Sequence, residues 1–189
     1  RRHFKEGRRA SARDVITTRD GGYAFAGYYS GSNSQGEDLY IVKTDGAGFV
    51  QWEYTGNDAF NYSNYQYGNG IVQTLDGGFA IVGETFNDLI VAKLDHNGEP
   101  QWLRPAPGVS NALGFDLIEL GDGSLVAAGE SYSEDYFGFF LCRHMYSVRF
   151  SPGGDVLQTA RIGSGSGRFD FATSLVEDDN GNVVLAGSG

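Results

Sequence analysis

The chain repeats itself, and a repeat limits the possible folds more than any composition does. Thr74-Leu75-Asp76-Gly77-Gly78-Phe79-Ala80-Ile81-Val82-Gly83 has a counterpart in Thr18-Arg19-Asp20-Gly21-Gly22-Tyr23-Ala24-Phe25-Ala26-Gly27. Shorter copies are Gly121-Asp122-Gly123-Ser124-Leu125-Val126-Ala127-Ala128-Gly129 and Asp179-Asn180-Gly181-Asn182-Val183-Val184-Leu185-Ala186-Gly187. In each, an Asp-Gly or Asn-Gly pair favours the φ > 0 geometry of a tight hairpin, and a short apolar strand follows and stops at a glycine.

A second motif alternates with the first. Asp38-Leu39-Tyr40-Ile41-Val42-Lys43-Thr44-Asp45-Gly46-Ala47-Gly48-Phe49-Val50-Gln51-Trp52 matches Asp88-Leu89-Ile90-Val91-Ala92-Lys93-Leu94-Asp95-His96-Asn97-Gly98-Glu99-Pro100-Gln101-Trp102, with a weaker copy over Ser147 to Gln158. One repeat is therefore two hairpins, or four strands a, b, c and d. Asp to Gly is 7 positions in each full copy (20→27, 76→83, 122→129), and Lys or Arg to Trp or Gln is 9 (43→52, 93→102, 149→158). The hairpin turns are fixed, while the b–c and d–a connections vary in length.

Periods of about 40 to 50 residues with four strands each are the signature of β-propeller blades. The expected fold class is all-β, a β-propeller of four-stranded antiparallel blades. The pattern T-x-D-G-G-[YF]-x-x-x-G followed by D-x-[YI]-[IV]-x-K-x-D-x-x-G-x-x-x-W resembles the propeller-type repeats of large secreted bacterial proteins, over nearly the whole chain. The resemblance implies an extracellular or cell-surface protein and leaves function open, because one such scaffold serves many purposes. The third repeat departs from the pattern: it lacks the Trp, has Ser151-Pro152-Gly153-Gly154 at its c–d turn, and carries an extra segment from Phe137 to His144.

The reading is of one propeller unit over 1–189, with repeats at about 13–60, 69–108, 115–163 and 171–189. Residues 1–7 align with the tail of a d strand, so joining them to the last a–b pair gives a split blade that lacks c. About four blades standing as part of a larger propeller, with further blades from the same or another chain, fit the two ends more easily than a closed ring. The absence of an initiator Met and of a signal-peptide pattern reads as a mature form, an excised domain or an incompletely covered protein.

Composition narrows the class. Glycine at 29 of 189 residues and aromatics at 14% suit short strands joined by tight turns and disfavour disorder. No apolar run approaches the roughly 18 residues that span a bilayer, which argues against membrane insertion. Residues 1–13 hold six of the 14 basic residues and one acid, which leaves 8 basic against 23 acidic residues, net −15, in the rest. That acidic body disfavours nucleic acid as a partner. The single Cys142 rules out an internal disulfide and reads as a buried thiol.

Variable loops on a rigid scaffold are where binding groups are placed. The b–c and d–a connections fall on one face and are rich in Tyr, Asn and Asp. Candidate ligand-binding residues are Tyr28, Tyr29, Asn61, Tyr62, Tyr65, Tyr67, Tyr132, Asp135 and Tyr136. A tyrosine ring offers a flat apolar platform and a hydroxyl, while carboxylate and amide groups read sugar hydroxyls. The same set suits protein recognition, and the alternative for any one Tyr is packing between blades. The expected function is non-catalytic recognition of an extracellular glycan or protein. A structural spacer in a large surface protein is the alternative, and a polysaccharide hydrolase or lyase a third.

No motif assigns a catalytic role. His3, His96 and His144 show no metal spacing, and no nucleophile elbow or phosphate loop occurs. Asp45-Gly46-Ala47-Gly48 and Asp95-His96-Asn97-Gly98-Glu99 faintly resemble calcium loops, but an Asp at a turn start more often bonds its own backbone two residues on. The expectation is no cofactor and no metal, with calcium at these loops as the exception to test. Lys43, Lys93 and Arg149 recur at one register and read as structural ion pairs or a solvated strand edge, not as catalytic groups. Trp52 and Trp102 likewise read as packing between blades.

Overall fold

A computed structural model of the chain describes residues 9–30, 36–56, 65–86, 88–109, 111–134, 141–163 and 170–189; for Ser133, Glu134, Leu141 and Cys142 it describes the backbone alone. The first sheet is β1 (Arg9–Thr17), β2 (Tyr23–Ser30), β3 (Glu37–Thr44) and β4 (Val50–Thr55). The second is β5 (Gln66–Gln73), β6 (Phe79–Thr85), β7 (Leu89–Leu94) and β8 (Pro100–Pro105). The third is β9 (Ala112–Glu119), β10 (Leu125–Glu134), β11 (Leu141–Phe150) and β12 (Val156–Ile162), and the fourth is β13 (Phe171–Glu177) with β14 (Val183–Ser188). Within each sheet successive strands pair antiparallel, and no helix occurs among the described residues. The chain is all-β, in sheets of four, four, four and two strands. The segment Phe137 to His144, extra in sequence, in part prolongs the c strand: Leu141 to His144 pair with Glu134 to Ser131.

One turn serves every a–b and c–d hairpin. In the second sheet the Gly77 amide donates to the Thr74 carbonyl at 2.8 Å and the Thr74 amide to the Gly78 carbonyl at 2.9 Å, with Gly77 at φ 87°. This is a three-residue loop that ends in a left-handed glycine, not a two-residue loop with both residues at φ > 0. The carboxylate of Asp76 caps it by accepting the Gly78 amide at 2.9 Å. Asp45 and Asp95 close the c–d turns in the same manner, each accepting the amides two and four residues on at 2.8–2.9 Å. The turn-cap reading of these aspartates holds.

The conserved-in-repeat glycine that stops each b strand has a separate cause. Each a strand carries a one-residue bulge, at Arg13, Asn69, Phe115 and Thr173. The bulge pushes a carbonyl over the b strand, so a Cβ at Gly27, Gly83, Gly129 or Gly187 would lie 1.8–1.9 Å from the backbone oxygen of Ser11, Tyr67, Leu113 or Phe171.

The sheets pack in series. β5 lies against β1, β2 and β3; β9 against β5, β6 and β7; β13 against β9, β10 and β11. Alternation along β6 serves two cores at once: Phe79 and Ile81 face Ala24, Leu39 and Ile41, while Ala80 and Val82 face Leu117, Leu125 and Val148. Carboxylates tie successive a strands: Asp14 accepts the Ile71 amide and Asp116 the Leu175 amide, both at 2.9 Å.

Trp52 and Trp102 act between sheets. The Trp52 indole N–H donates to the His96 carbonyl at 3.2 Å, and that of Trp102 to the Pro152 carbonyl at 3.0 Å. Gly98 and Gly154 lie flat under these rings, so close that a Cβ would sit 2.6 Å from the first and 2.8 Å from the second. Each Trp thus clasps the c–d turn of the following sheet. Lys43, Lys93 and Arg149 pair with Asp20, Asp76 and Asp122 at 2.7, 2.8 and 2.7 Å, which makes them structural ion pairs.

Candidate functional site

The side chains that break the repeat gather where β2 and β6 end and β3 and β5 begin. Arg13 and Asn69 occupy the equivalent bulge of successive a strands. A bulge re-aims its extra side chain, and here the two meet: an Arg13 guanidinium N–H donates to the Asn69 side-chain oxygen. The guanidinium also lies 4.5 Å from the Tyr67 ring centroid and 5.3 Å from that of Tyr28. Those two rings meet edge to face, with centroids 5.1 Å apart at 77°. Cationic and quadrupolar attraction both favour this stacking.

Acids frame the group. Glu84 accepts from Arg13 at 3.2 Å, and Tyr67 donates its hydroxyl to Glu37. Burial first, and then the hydrogen bond to the Glu37 carboxylate, push the Tyr67 phenol up to about 12, so it stays a donor at neutral pH. The Asn69 side-chain N–H donates across to the Gly114 carbonyl at 2.7 Å, anchoring the cluster to the third sheet. Beside it Tyr65 and Phe86 are exposed, at 43% and 74%, with their centroids 6.4 Å apart. Tyr65 also bridges to Glu37 through the backbone.

A smaller copy forms on the third sheet. Tyr132 donates to Glu130 at 2.9 Å, Arg143 pairs with Glu130 at 3.3 Å, and the Arg143 guanidinium lies 5.0 Å from the Tyr132 centroid. Glu130 occupies the repeat position of Tyr28 and Glu84, one residue past the stop glycine.

Placement of the expected binding residues is mixed. Tyr28, Tyr65 and Tyr67 come together, and Tyr132 stands in the second cluster. Tyr28 and Tyr29 lie within β2, Tyr67 within β5 and Tyr132 within β10, as strand residues and not as loop residues. Tyr29 is 7% exposed and packs with Tyr40, Val42 and Phe25. Asn61, Tyr62, Asp135 and Tyr136 lie outside the described residues, as do the residues 1–7 aligned to a d strand. The side chain of Cys142 does too.

No protein-family model matches this sequence, and no curated protein matches it. The site must therefore be read from its chemistry. Among the described residues, no three of His, Cys, Asp and Glu are gathered to hold a metal ion. Among these residues no helix is long and apolar enough to cross a membrane.

Arg13, Asn69, Glu37 and Glu84 escape the sequence reading. A signal for two of them exists. Seven positions before the turn Asp or Asn stand Arg13, Asn69, Phe115 and Thr173, four different residues at one repeat position. A position that varies inside an otherwise regular repeat is where a binding group can be placed without cost to the scaffold.

At the opposite end of the first and second sheets lies a cavity of ≈ 480 Å³ lined by Trp52, Gln51, Arg19, Lys43 and His96 among others. Its charges serve the scaffold. Lys43 is held by Asp20 and by Gln51 at 2.8 Å, and Arg19 by the Thr74 carbonyl at 2.9 Å.

Proposed function

We propose that this chain is a non-catalytic recognition module of propeller type, binding an extracellular glycan through the face that carries Arg13, Tyr28, Tyr65, Tyr67 and Phe86. Serial packing of four-stranded sheets through their a strands supports the propeller reading, and so do the fixed turns and variable connections. On this reading the chain supplies about four blades of a ring, alone or with further blades. Extracellular placement follows from the resemblance to repeats of secreted bacterial proteins.

The observation that carries the ligand class is the Arg13 stack beside two exposed aromatic rings. Exposed Tyr65 and Phe86 offer flat apolar faces of the kind a pyranose ring covers. Glu37, Glu84 and Asn69 supply acceptors and donors, and their hydrogen bonds with Tyr67 and Arg13 hold them in place before a ligand arrives. Preorganisation of this kind lowers the entropy lost on binding. A protein surface is the second ligand that the same composition suits.

The test is a glycan array probed with the wild-type chain and with a Tyr65→Ala/Phe86→Ala double variant. Both residues are exposed, so the variant should keep its stability within about 0.5 kcal/mol per site. Hits that vanish in the variant support the glycan reading. Hits unchanged in the variant, and in Arg13→Ala, would remove this face from the function. A blank array moves the ligand to protein, tested by pull-down with the same variants.

A further inference from the structure

The cavity at the turn end of the first and second sheets differs in charge from the same place one junction on. Lys43 and Asp20 pair in its wall, as Lys93 and Asp76 pair at the next junction. Other positions change. Arg19, Gln73 and His96 line the first cavity, whereas Leu75, Glu119 and Pro152 hold the equivalent repeat positions at the second junction. With each Lys–Asp pair offset, Arg19 leaves the first junction positive and Glu119 leaves the second negative. The cavity is thus a positive spot on a chain whose net charge is −10.

Arg19 is fixed there without being neutralised. Its Nη1 donates to the Thr74 carbonyl at 2.9 Å and the Leu75 carbonyl at 3.4 Å, and its backbone N–H to the Gln73 side-chain oxygen at 2.9 Å. Carbonyl oxygens orient a guanidinium but leave its unit charge in place. Among the described residues no carboxylate pairs with it. Glu119 feels the charge at longer range, and its carboxylate is taken by the Leu75 amide at 2.5 Å. The scaffold does not require a cation at this position, since the four equivalents are Arg19, Leu75, Gly121 and Asp179.

The same cavity supplies a platform and a donor. Trp102 is 6% exposed and tilts onto Phe150 with ring centroids 5.8 Å apart, whereas Trp52 is half-buried and meets Phe79 edge-on at 5.3 Å. Gly98 covers one side of the Trp52 ring, and the ring lines the cavity. Gln51 gives its side-chain oxygen to Lys43 at 2.8 Å, which leaves its NH2 group to donate to a ligand. At ≈ 480 Å³ the cavity has the size of small-ligand sites, roughly 300–1,000 Å³. We propose that this cavity is a second ligand site and that it takes a uronic acid unit, with the pyranose ring on Trp52 and the carboxylate at Arg19. An indole face suits the apolar side of a sugar ring, and a charge-assisted bond to Arg19 selects the acid. The site lies at the opposite end of the sheets from Arg13 and does not depend on that face.

The test titrates the full chain with trigalacturonic acid and with its methyl ester, which share the rings and differ in charge. The chain has two tryptophans, so two indole N–H signals report in NMR, Trp52 in the cavity and Trp102 as a control on the fold. The acid is expected to shift the Trp52 signal, to leave that of Trp102 in place, and to bind at least about tenfold more tightly than the ester. Arg19→Gln should bring the two affinities together while the ester keeps its own. Raising salt from about 0.05 to about 0.5 M should erase the same preference in the wild-type chain, a readout that needs no variant. No Trp52 shift with either probe overturns the site. Equal affinities in the wild type, or a preference that survives Arg19→Gln or high salt, overturns the assignment of the carboxylate to Arg19. Shifts confined to the residues around Arg13 would place the acid on that face instead, against the proposal.

Discussion

Asp76 and Lys93 form a pair whose two ends are unequal, since the lysine side chain is 4% exposed and the aspartate 56%. Removing the carboxylate leaves an ammonium inside the protein beside the Leu94 carbonyl at 3.2 Å. Removing the ammonium leaves a carboxylate that water already reaches. Asp76→Ala should therefore cost about 1–3 kcal/mol, less than the 3–5 of a fully buried pair because water screens the exposed end. Lys93→Met should stay within about 1.5 kcal/mol, because it keeps the stem and deletes the charge. Denaturant unfolding of the two variants checks this, and equal losses would refute the asymmetry. The pair also titrates. Burial by itself would raise the Asp76 carboxyl, but hydrogen bonds from Lys93, Thr74 and the Gly78 amide outweigh it and lower the group from 3.8 to about 2. A depressed folded value means stability that is complete above about pH 3.8 and lost as pH falls toward 2. Wild-type stability should fall across that window, and the fall should shrink in Asp76→Asn. The recurrence of Lys43, Lys93 and Arg149 made these pairs legible in the sequence. Arg13 was not legible as a partner of Tyr28 and Tyr67, because only the bulges bring those residues together.

Strands and turns were readable because each repeat carries its punctuation with it. A left-handed glycine closes every a–b and c–d hairpin, and a second glycine, with no need of positive φ, yields to the bulge carbonyl. The distinction is testable. Gly83→Ala sets a methyl carbon 1.8 Å from the Tyr67 oxygen, so β5 must shift or the bulge must open. A loss of about 1–3 kcal/mol is expected, within the range of backbone-strain substitutions. Gly121→Ala, where nothing lies within 4 Å, should be neutral or slightly stabilising. Equal melting shifts for the two would remove the bulge as the cause of the repeated stop glycine. What the sequence hid at this level was extent. Tyr28 and Tyr29 read as the start of a loop because polar and glycine-rich residues follow, yet tyrosine pairs well on a pleated surface and β2 runs on to Ser30. The bulge was hidden too, since one extra residue in an a strand leaves no composition signal. It shows only as a strand spacing that fails to keep strict alternation.

Coupling between sheets runs from each to the next, because three of the four core clusters span two neighbours and each Trp clasps the turn one sheet ahead. Stability in such an array is a sum of local terms and shared interfaces. The second sheet lies between two cores, with Phe79, Ile81, Ala80 and Val82 of one strand divided between them. Among the described residues the fourth sheet has one neighbour, and its Val176 and Val184 are 58% and 49% exposed. Opening free energies should therefore rise from the fourth sheet to the second. Hydrogen exchange measures this directly, since local openings of weakly packed units fall below the global value. Amides of Val183 to Ser188 should exchange by local opening, at least about a hundredfold faster than those of Leu89 to Leu94, which would follow global unfolding. The inward half of the fourth sheet should be intermediate, because the Leu175 amide is held by Asp116 at 2.9 Å. Protection at β14 equal to that at β7 would overturn this gradient. Weak protection at β14 with strong protection at β7 would place the stability of the series in the two cores that flank the second sheet.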